Sequence, residues 1–278
     1  MVGSKKTKRS IVIRYILTTL LLLVLISPFI YLILHSFADW DQVDRKLIPT
    51  SFSLRSWKWL FGGSETTAAA PWLSAFFHSL IVSTVSTAFM LLFGVMTAYA
   101  LAKLNFRGKK FINRFITFQM FFPVIILLIP QFLMITKGGL LDSFAGMIIP
   151  TVINMLAIFM YSNFFRAIPD SLIEAAKLDG ANDLTILFRI ILPMTSSLTT
   201  VIFLFIFTDR WTNLLWDMIV TKSDGTVTLN VLISQMFGPY QSYPGPMYAA
   251  SVLLTVPLIL LFLAFSKKFS ESVQDVLK

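Results

Sequence analysis

The chain of 278 residues contains no cysteine, which excludes disulfides, thiolate metal sites and cysteine nucleophiles together. It holds only two histidines, His35 and His78, far apart and outside any ligand-spaced pair, so neither zinc nor haem is expected. Charge is scarce as well: 13 % of residues are Asp, Glu, Lys or Arg, against roughly a quarter in an ordinary soluble domain. No Gly-x-x-x-x-Gly-Lys-[Ser/Thr] run occurs, so the chain is not expected to hold nucleotide phosphates itself. There is no internal repeat, and the Thr/Ala patch at 66–70 is the one simple stretch.

What is abundant is apolar surface. Hydrophobic residues make up 56 % of the chain and the mean hydropathy is +0.77. One water-facing globule could not bury that much, so the bilayer is the expected solvent. The net charge of +9 would suggest nucleic acid in a soluble protein. Here the basic residues fall between apolar runs, as orientation signals do, and form no strip interleaved with aromatics, so nucleic acid is not expected.

A membrane-crossing helix needs about 20 mostly apolar residues. Six runs qualify: 15–34, 72–102, 115–136, 144–165, 197–220 and 247–265. The first follows Lys5, Lys6, Lys8 and Arg9 as a signal peptide would, but it is too long and lacks a small-residue cleavage site, so it reads as a retained helix. Trp40, Trp57 and Trp59 in the polar stretch 37–70 are placed as interfacial aromatics. With the N-terminus inside, 16 Lys and Arg lie on the inner side and 6 on the outer. That asymmetry puts both termini in the cytoplasm. The expected fold is therefore all-α: a polytopic membrane bundle of six helices, one domain over 1–278 with its core at 72–266.

The connection between the fourth and fifth runs, 168–193, is unlike the other inner loops. From Asp170 to Asp183 it carries four acids (Asp170, Glu174, Asp179, Asp183) and one base, Lys177, on the side that should be positive. Ser171 and Glu174 have capping-box spacing. Gly180 falls where a helix would end in a left-handed residue. Asn182 or Asp183 can cap a second helix through Leu187 and Ile191 to Pro193. The sequence spells a cytoplasmic helix-turn-helix, readable either as a docking surface or as a well-capped amphipathic loop.

Glu174-Ala175-Ala176, Asp179-Gly180-Ala181 and Ile190-x-Leu192-Pro193 resemble the EAA signature of binding-protein-dependent ABC importer permeases. Ala98-Tyr99-Ala100, Phe106-Arg107-Gly108, Trp211-x-x-x-Leu215-Trp216 and Met247-Tyr248-Ala249-Ala250 make the chain most similar to the maltose-type carbohydrate group. Departures include Ser197 for a frequent proline, His78 for a usual Asn, Asp209-Arg210 for small neutral residues, Asp217 for a frequent Pro, and Ser272 for Gly. The resemblance implies a sugar (oligosaccharide) permease in the cell membrane that forms half of a translocation path. Its partners would be a second permease chain as a heterodimer, two ABC ATPase subunits, an extracytoplasmic solute-binding protein, membrane lipid and the sugar. ATP and Mg would be bound by the ATPase subunits, with no cofactor or metal in this chain. Glu174, Ala175, Ala176, Asp179, Gly180, Ala181, Ile190, Leu192 and Pro193 would form the ATPase-coupling element.

Other residues stand out without deciding their role. Asp209 and Arg210 are costly inside a membrane and are functional candidates by default. Arg210 is 12 residues past Leu198, about 18 Å along a helix, near mid-membrane. Adjacent helix residues point apart, so the two cannot simply pair with each other. Trp211, Asn213 and Trp216 could stack on and bond a sugar, or could be packing. With His78 and Asp209-Arg210 they are the candidates for the substrate path. Gly238, Pro239, Tyr240 and Tyr243, in a turn-rich outer loop, could meet the binding protein. A permease for a peptide or polyamine, a self-sufficient secondary transporter and an integral membrane enzyme are the competing readings. An enzyme would need convergent His, Asp, Glu or Ser near a membrane face, and the sequence offers no such set.

Overall fold

The computed structural model describes residues 3–63, 70–236 and 244–276. Secondary structure there is helical, apart from one isolated antiparallel bridge between Ala38 and Phe52. In chain order the α-helices are α1 (Gly3–Ser36), α2 (Arg55–Gly62), α3 (Trp72–Lys103), α4 (Lys109–Met120), α5 (Leu128–Lys137), α6 (Phe144–Ile148), α7 (Met155–Ala167) and α8 (Asp170–Leu178). There follow α9 (Asp183–Thr185), α10 (Leu192–Met194), α11 (Ser196–Trp211), α12 (Leu215–Val220), α13 (Leu229–Met236) and α14 (Pro244–Val276). The chain divides into two compact units, 1–72 with 233–255, and 73–232 with 256–278.

In the first unit, the stretch 15–30 of α1 is apolar around most of its circumference and is exposed, as a lipid-facing helix is. The segment after it is held both by buried apolar residues, Ala38, Val43 and Leu60, and by hydrogen bonds. Ser53 N donates to Phe37 O (2.7 Å), and Gln42 Oε1 accepts from Thr50 N (2.8 Å). Asp44 adopts φ +59° and gathers two hydroxyls, Tyr31 at 3.0 Å and Tyr248 at 2.5 Å. Gly245 is required near the start of α14, because a Cβ there would run into Ser56 and Trp40.

The second unit has a true core. Tyr99, Ala157, Tyr161, Phe165, Ile186, Ile191 and Ile202 are buried together, drawn from α3, α7, the 168–193 loop and α11. Gly94 lets α3 and α7 approach, since an added Cβ would sit 3.1 Å from Ala157 Cβ.

Among the described residues, four helices are long and apolar enough to cross a membrane: Ser10–Ser36, Trp72–Lys103, Phe144–Ala167 and Gly245–Lys267. They match the first, second, fourth and sixth expected runs. The other two expectations need correction. The third run is broken into Lys109–Met120 and Val124–Lys137, bent by 105°. Pro123 lies in the break, where it can neither donate a helical hydrogen bond nor let its predecessor stay helical. Pro130 does no harm, because it sits in the first turn of α5. The fifth run ends at Trp211 instead of reaching Val220. Thr212 Oγ1 folds back onto Thr208 O (2.9 Å), and Asn213 Oδ1 accepts from Trp216 N (3.2 Å), starting α12 afresh. Upstream of α11 the chain bends again, by 85° between Asp183–Met194 and Ser196–Trp211.

Candidate functional site

The 168–193 loop is a helix, a left-handed turn and a second helix. The expected capping box does not form: α8 begins at Asp170, so Ser171 is already inside the helix and the N-cap is Pro169 without a side-chain bond. The C-terminus follows the expectation. Gly180 takes φ +84°, Gly180 N donates to Lys177 O and Ala181 N to Ala176 O, both at 3.0 Å. That crossed pair is a Schellman motif, and it satisfies carbonyls the helix would otherwise leave open. Asn182, rather than Asp183, caps the second helix through Thr185 N at 2.8 Å. Residues Ile186–Ile191 then wind as a π-helix before α10.

The loop is anchored from behind. Ile173 and Ala176 enter the core of the second unit. Tyr99 OH, on α3, donates to Asp183 Oδ1 at 2.9 Å. Lys103 Nζ, one turn on, donates to Ile168 O at 2.5 Å and to Asp170 Oδ1 at 2.7 Å. The Lys103 hydrogen bond, reinforced by its charge, holds the Asp170 carboxyl below its ordinary value. Hydrogen bonds from Lys177 and then Tyr99 do the same for Asp183. Among the residues left outward are Glu174, Ala175, Leu178, Asp179, Gly180 and Leu184, with Leu178 90 % exposed.

A second constellation lies where α11 breaks. Arg210 and Asp217 are buried side chains, 2 % and 4 % exposed, in bidentate contact: Nη2 to Oδ1 at 2.8 Å and Nη1 to Oδ2 at 3.1 Å. Arg210 Nε also donates to Ser86 Oγ (3.3 Å), and Trp216 Nε1 donates to Met147 O (3.3 Å). The pair thus joins α11, α12 and α3 in the second unit.

The family model described as "Binding-protein-dependent transport system inner membrane component" matches residues 90–274. The chain belongs to this family. The permease is 30 % identical to the polygalacturonan/rhamnogalacturonan transport system permease protein YtcP of Bacillus subtilis, over 90 % of this chain and 91 % of that one. It is 27 % identical to the arabinooligosaccharides transport system permease protein AraQ of Halalkalibacterium halodurans, over 95 % and 96 %. Its fold matches a chain in the crystal structure of a bacterial ABC transporter that imports the acidic polysaccharide alginate, with TM-score 0.82, 24 % identity and coverage of 97 % and 99 %. The permease is accordingly a multi-pass, all-α cell-membrane protein.

Within the permease the expected coupling residues separate into two groups. Glu174, Ala175, Asp179, Gly180 and Pro193 are exposed. Ala176 is buried, and Ala181, Ile190 and Leu192 pack against the same core. Those four face inward, Ala181 from the turn and the other three from their helices.

The expected path residues differ in exposure. Asp209 is exposed, whereas Arg210, Trp211 and Trp216 are buried. Stacking of a sugar on either indole is not available in this arrangement: Trp211 stacks on Phe207 at 5.9 Å, and Trp216 lies in a cluster with Met147 and Val220. Asn213 serves as a helix cap. His78 behaves as a bundle residue, with Nδ1 2.9 Å from Val227 O. Gly238, Pro239, Tyr240 and Tyr243 lie outside the described residues.

Sequence reasoning missed Asp142. With φ +56° it accepts from Lys222 N (2.9 Å), Ser223 N (3.1 Å) and the Thr226 hydroxyl. Those bonds, the Thr226 one foremost, hold its carboxyl well below the usual carboxylate range. Its partners are some 80 residues away in sequence, so no local pattern announces them.

Proposed function

We propose that the permease forms part of the membrane path of an ATP-driven sugar importer and receives its energy through the exposed edge of the 168–193 loop. The observation that carries this reading is Leu178. A leucine 90 % exposed at the tip of a loop whose back is fixed by Tyr99, Lys103 and the core is a surface made to be covered. Glu174, Ala175 and Asp179 beside it would complete the contact with a separate ATP-binding subunit, in which ATP and Mg reside. The second permease chain, an extracytoplasmic binding protein and six spans with both termini inside complete the same proposal. Sugar is favoured over peptide or polyamine by the names of the two relatives. Whether the sugar is charged is not read by Arg210, whose guanidinium is already bound by Asp217.

Leu178→Asp and Glu174→Lys should insert normally, abolish sugar uptake and reduce co-purification of the ATP-binding subunit. Normal uptake by both variants would remove the coupling assignment. The absence of cysteine makes sidedness equally testable. Single cysteines at Asp41 and Asp224 should react with an impermeant maleimide in intact cells, and one at Leu178 only after permeabilisation. The opposite pattern would invert the orientation.

A further inference from the structure

We infer that the cleft between α4 and α7 is a binding site for the headgroup of an anionic phospholipid, in the leaflet on the side of the 168–193 loop. The position follows from connectivity. α4 begins six residues after α3 ends at Lys103, and α7 ends at Ala167, immediately before the loop. Both helix ends that frame the cleft therefore lie at the level of Lys103, which itself bonds Ile168 and Asp170.

The two helices carry Lys109, Lys110, Arg114 and Arg166 and not one Asp or Glu. Lys109 is spent on Leu104 O at 2.8 Å. Arg166 bonds only neutral amides, Asn113 Oδ1 at 2.9 Å and Asn163 Oδ1 at 3.4 Å. Among the described residues no carboxylate pairs with Arg166 or Arg114, whereas Lys103, Lys177 and Arg210 each have one. An arginine in the last turn of a helix gains from the helix dipole, but that does not require a cavity beside it. Here a cavity of about 90 Å³ opens against Arg166, lined also by Asn113, Thr117, Ser162 and Asn163. At about 30 Å³ per water, it has room for a small polar group. Ser162 is 4 % exposed, and its buried hydroxyl has no partner among the described residues. A polar, basic, half-filled cleft needs an acceptor-rich guest, and a phosphodiester fits arginine bidentately.

The second half of the argument is apolar. Beyond the cleft, α4 and the break after it expose Phe115, Phe118 and Phe121, the last 83 % exposed. A shallow cavity lined by Arg114, Thr117, Phe118 and Phe121 continues from the polar one through Asn113 and Thr117, which line both. Cations at one end and aromatic surface at the other match a lipid, headgroup to acyl chain. A free anion would use only the first, and basic pockets between membrane helices are a known way to hold anionic headgroups.

The test uses the assembled transporter in neutral detergent, with fluorescent phosphatidylglycerol as probe and phosphatidylcholine and inorganic phosphate as competitors. Phosphatidylglycerol should bind saturably, and neither competitor should displace it. Each cation removed should weaken binding about fivefold, so Arg166→Gln/Arg114→Gln should lose about thirtyfold. Should Arg166→Gln assemble poorly, Arg114→Gln alone should give the fivefold loss, while Lys222→Gln, in the segment that follows α12, should change nothing. Unaltered binding in the double variant would overturn the inference. Displacement by inorganic phosphate would also overturn it, in favour of a free-anion site. Protection of α4 by the second permease chain, with no lipid bound, would overturn it in favour of a protein interface.

Discussion

Two carboxylate–cation pairs of the permease differ sharply in burial, and the contrast separates what holds the fold from what adjusts a surface. Arg210–Asp217 is buried on both sides, bidentate and supplemented by Ser86. Lys103–Asp170 is buried on one side only: the lysine side chain is 4 % exposed and the aspartate 78 %. In the first, either charge left alone would be stranded in a low dielectric. In the second the carboxylate can turn to water, and the lysine keeps Ile168 O. Identical chemistry therefore predicts large, coupled effects at one site and small, separable ones at the other.

The buried pair offers the largest effect. Asp217→Leu should destabilise by about 3–5 kcal/mol, the usual penalty for removing one member of a buried pair. Arg210→Met together with Asp217→Leu should recover most of that loss, because no charge is left behind. Thermal unfolding of the assembled complex reads both. Additive losses in the double variant would show that the two side chains do not act as a pair.

Next in size is the turn that presents the proposed coupling edge. Nothing stands within 4 Å of a Cβ built on Gly180, so substitution there costs backbone conformation alone. Gly180→Ala should cost about 1–2 kcal/mol, and Gly180→Asn less, since Asn tolerates the left-handed region. Uptake should follow that order. Equal uptake by Gly180→Val and the parent would mean that the turn is not needed for coupling.

The smallest effect belongs to the exposed half of the second pair. Asp170→Asn should leave the unfolding midpoint unchanged within error, while Lys103→Gln, which orphans Ile168 O, should lower it. The Asp170 and Asp183 carboxyls are both held below their ordinary values in the folded protein. Their contribution is therefore complete above the unfolded carboxylate pKa of about 4 and is lost as pH falls through the folded values. Stability of the loop should be flat from pH 6 to 8 and decline only in acid. A decline between pH 7 and 6 would point to another group.

The parts of the molecule that were legible in sequence are those set by neighbours in the chain. Gly180, Asn182 and the outward Glu174 announced themselves because a helix end is decided within a few residues. The carbohydrate-permease resemblance was carried by short blocks of the same kind. Hydropathy counted the apolar runs but could not register an interruption inside one, so the bend near Pro123 and the helix break after Trp211 were lost. The capping box failed because spacing cannot say which residue opens a helix. Facing was the deepest gap: sequence left Trp211 and Trp216 open as sugar platforms or as packing, and only the fold shows them buried against Phe76, Phe207 and Met147. Asp44 was hidden for the plainest reason, since Tyr248 lies 204 residues away.

The close approach at Gly94 has a mechanical consequence. With Ala157 occupying the space a side chain would need, α3 and α7 have no slack between them. Tyr99 and Lys103, further along the same α3, grip the loop through Asp183, Asp170 and Ile168. If the loop receives the push of a partner subunit, as proposed above, that push would reach the interior as a stiff lever carries force, with little of the stroke absorbed as elastic strain. Widening that single contact, for instance with Gly94→Val, would separate the lever from its fulcrum while leaving the surface that receives the push untouched.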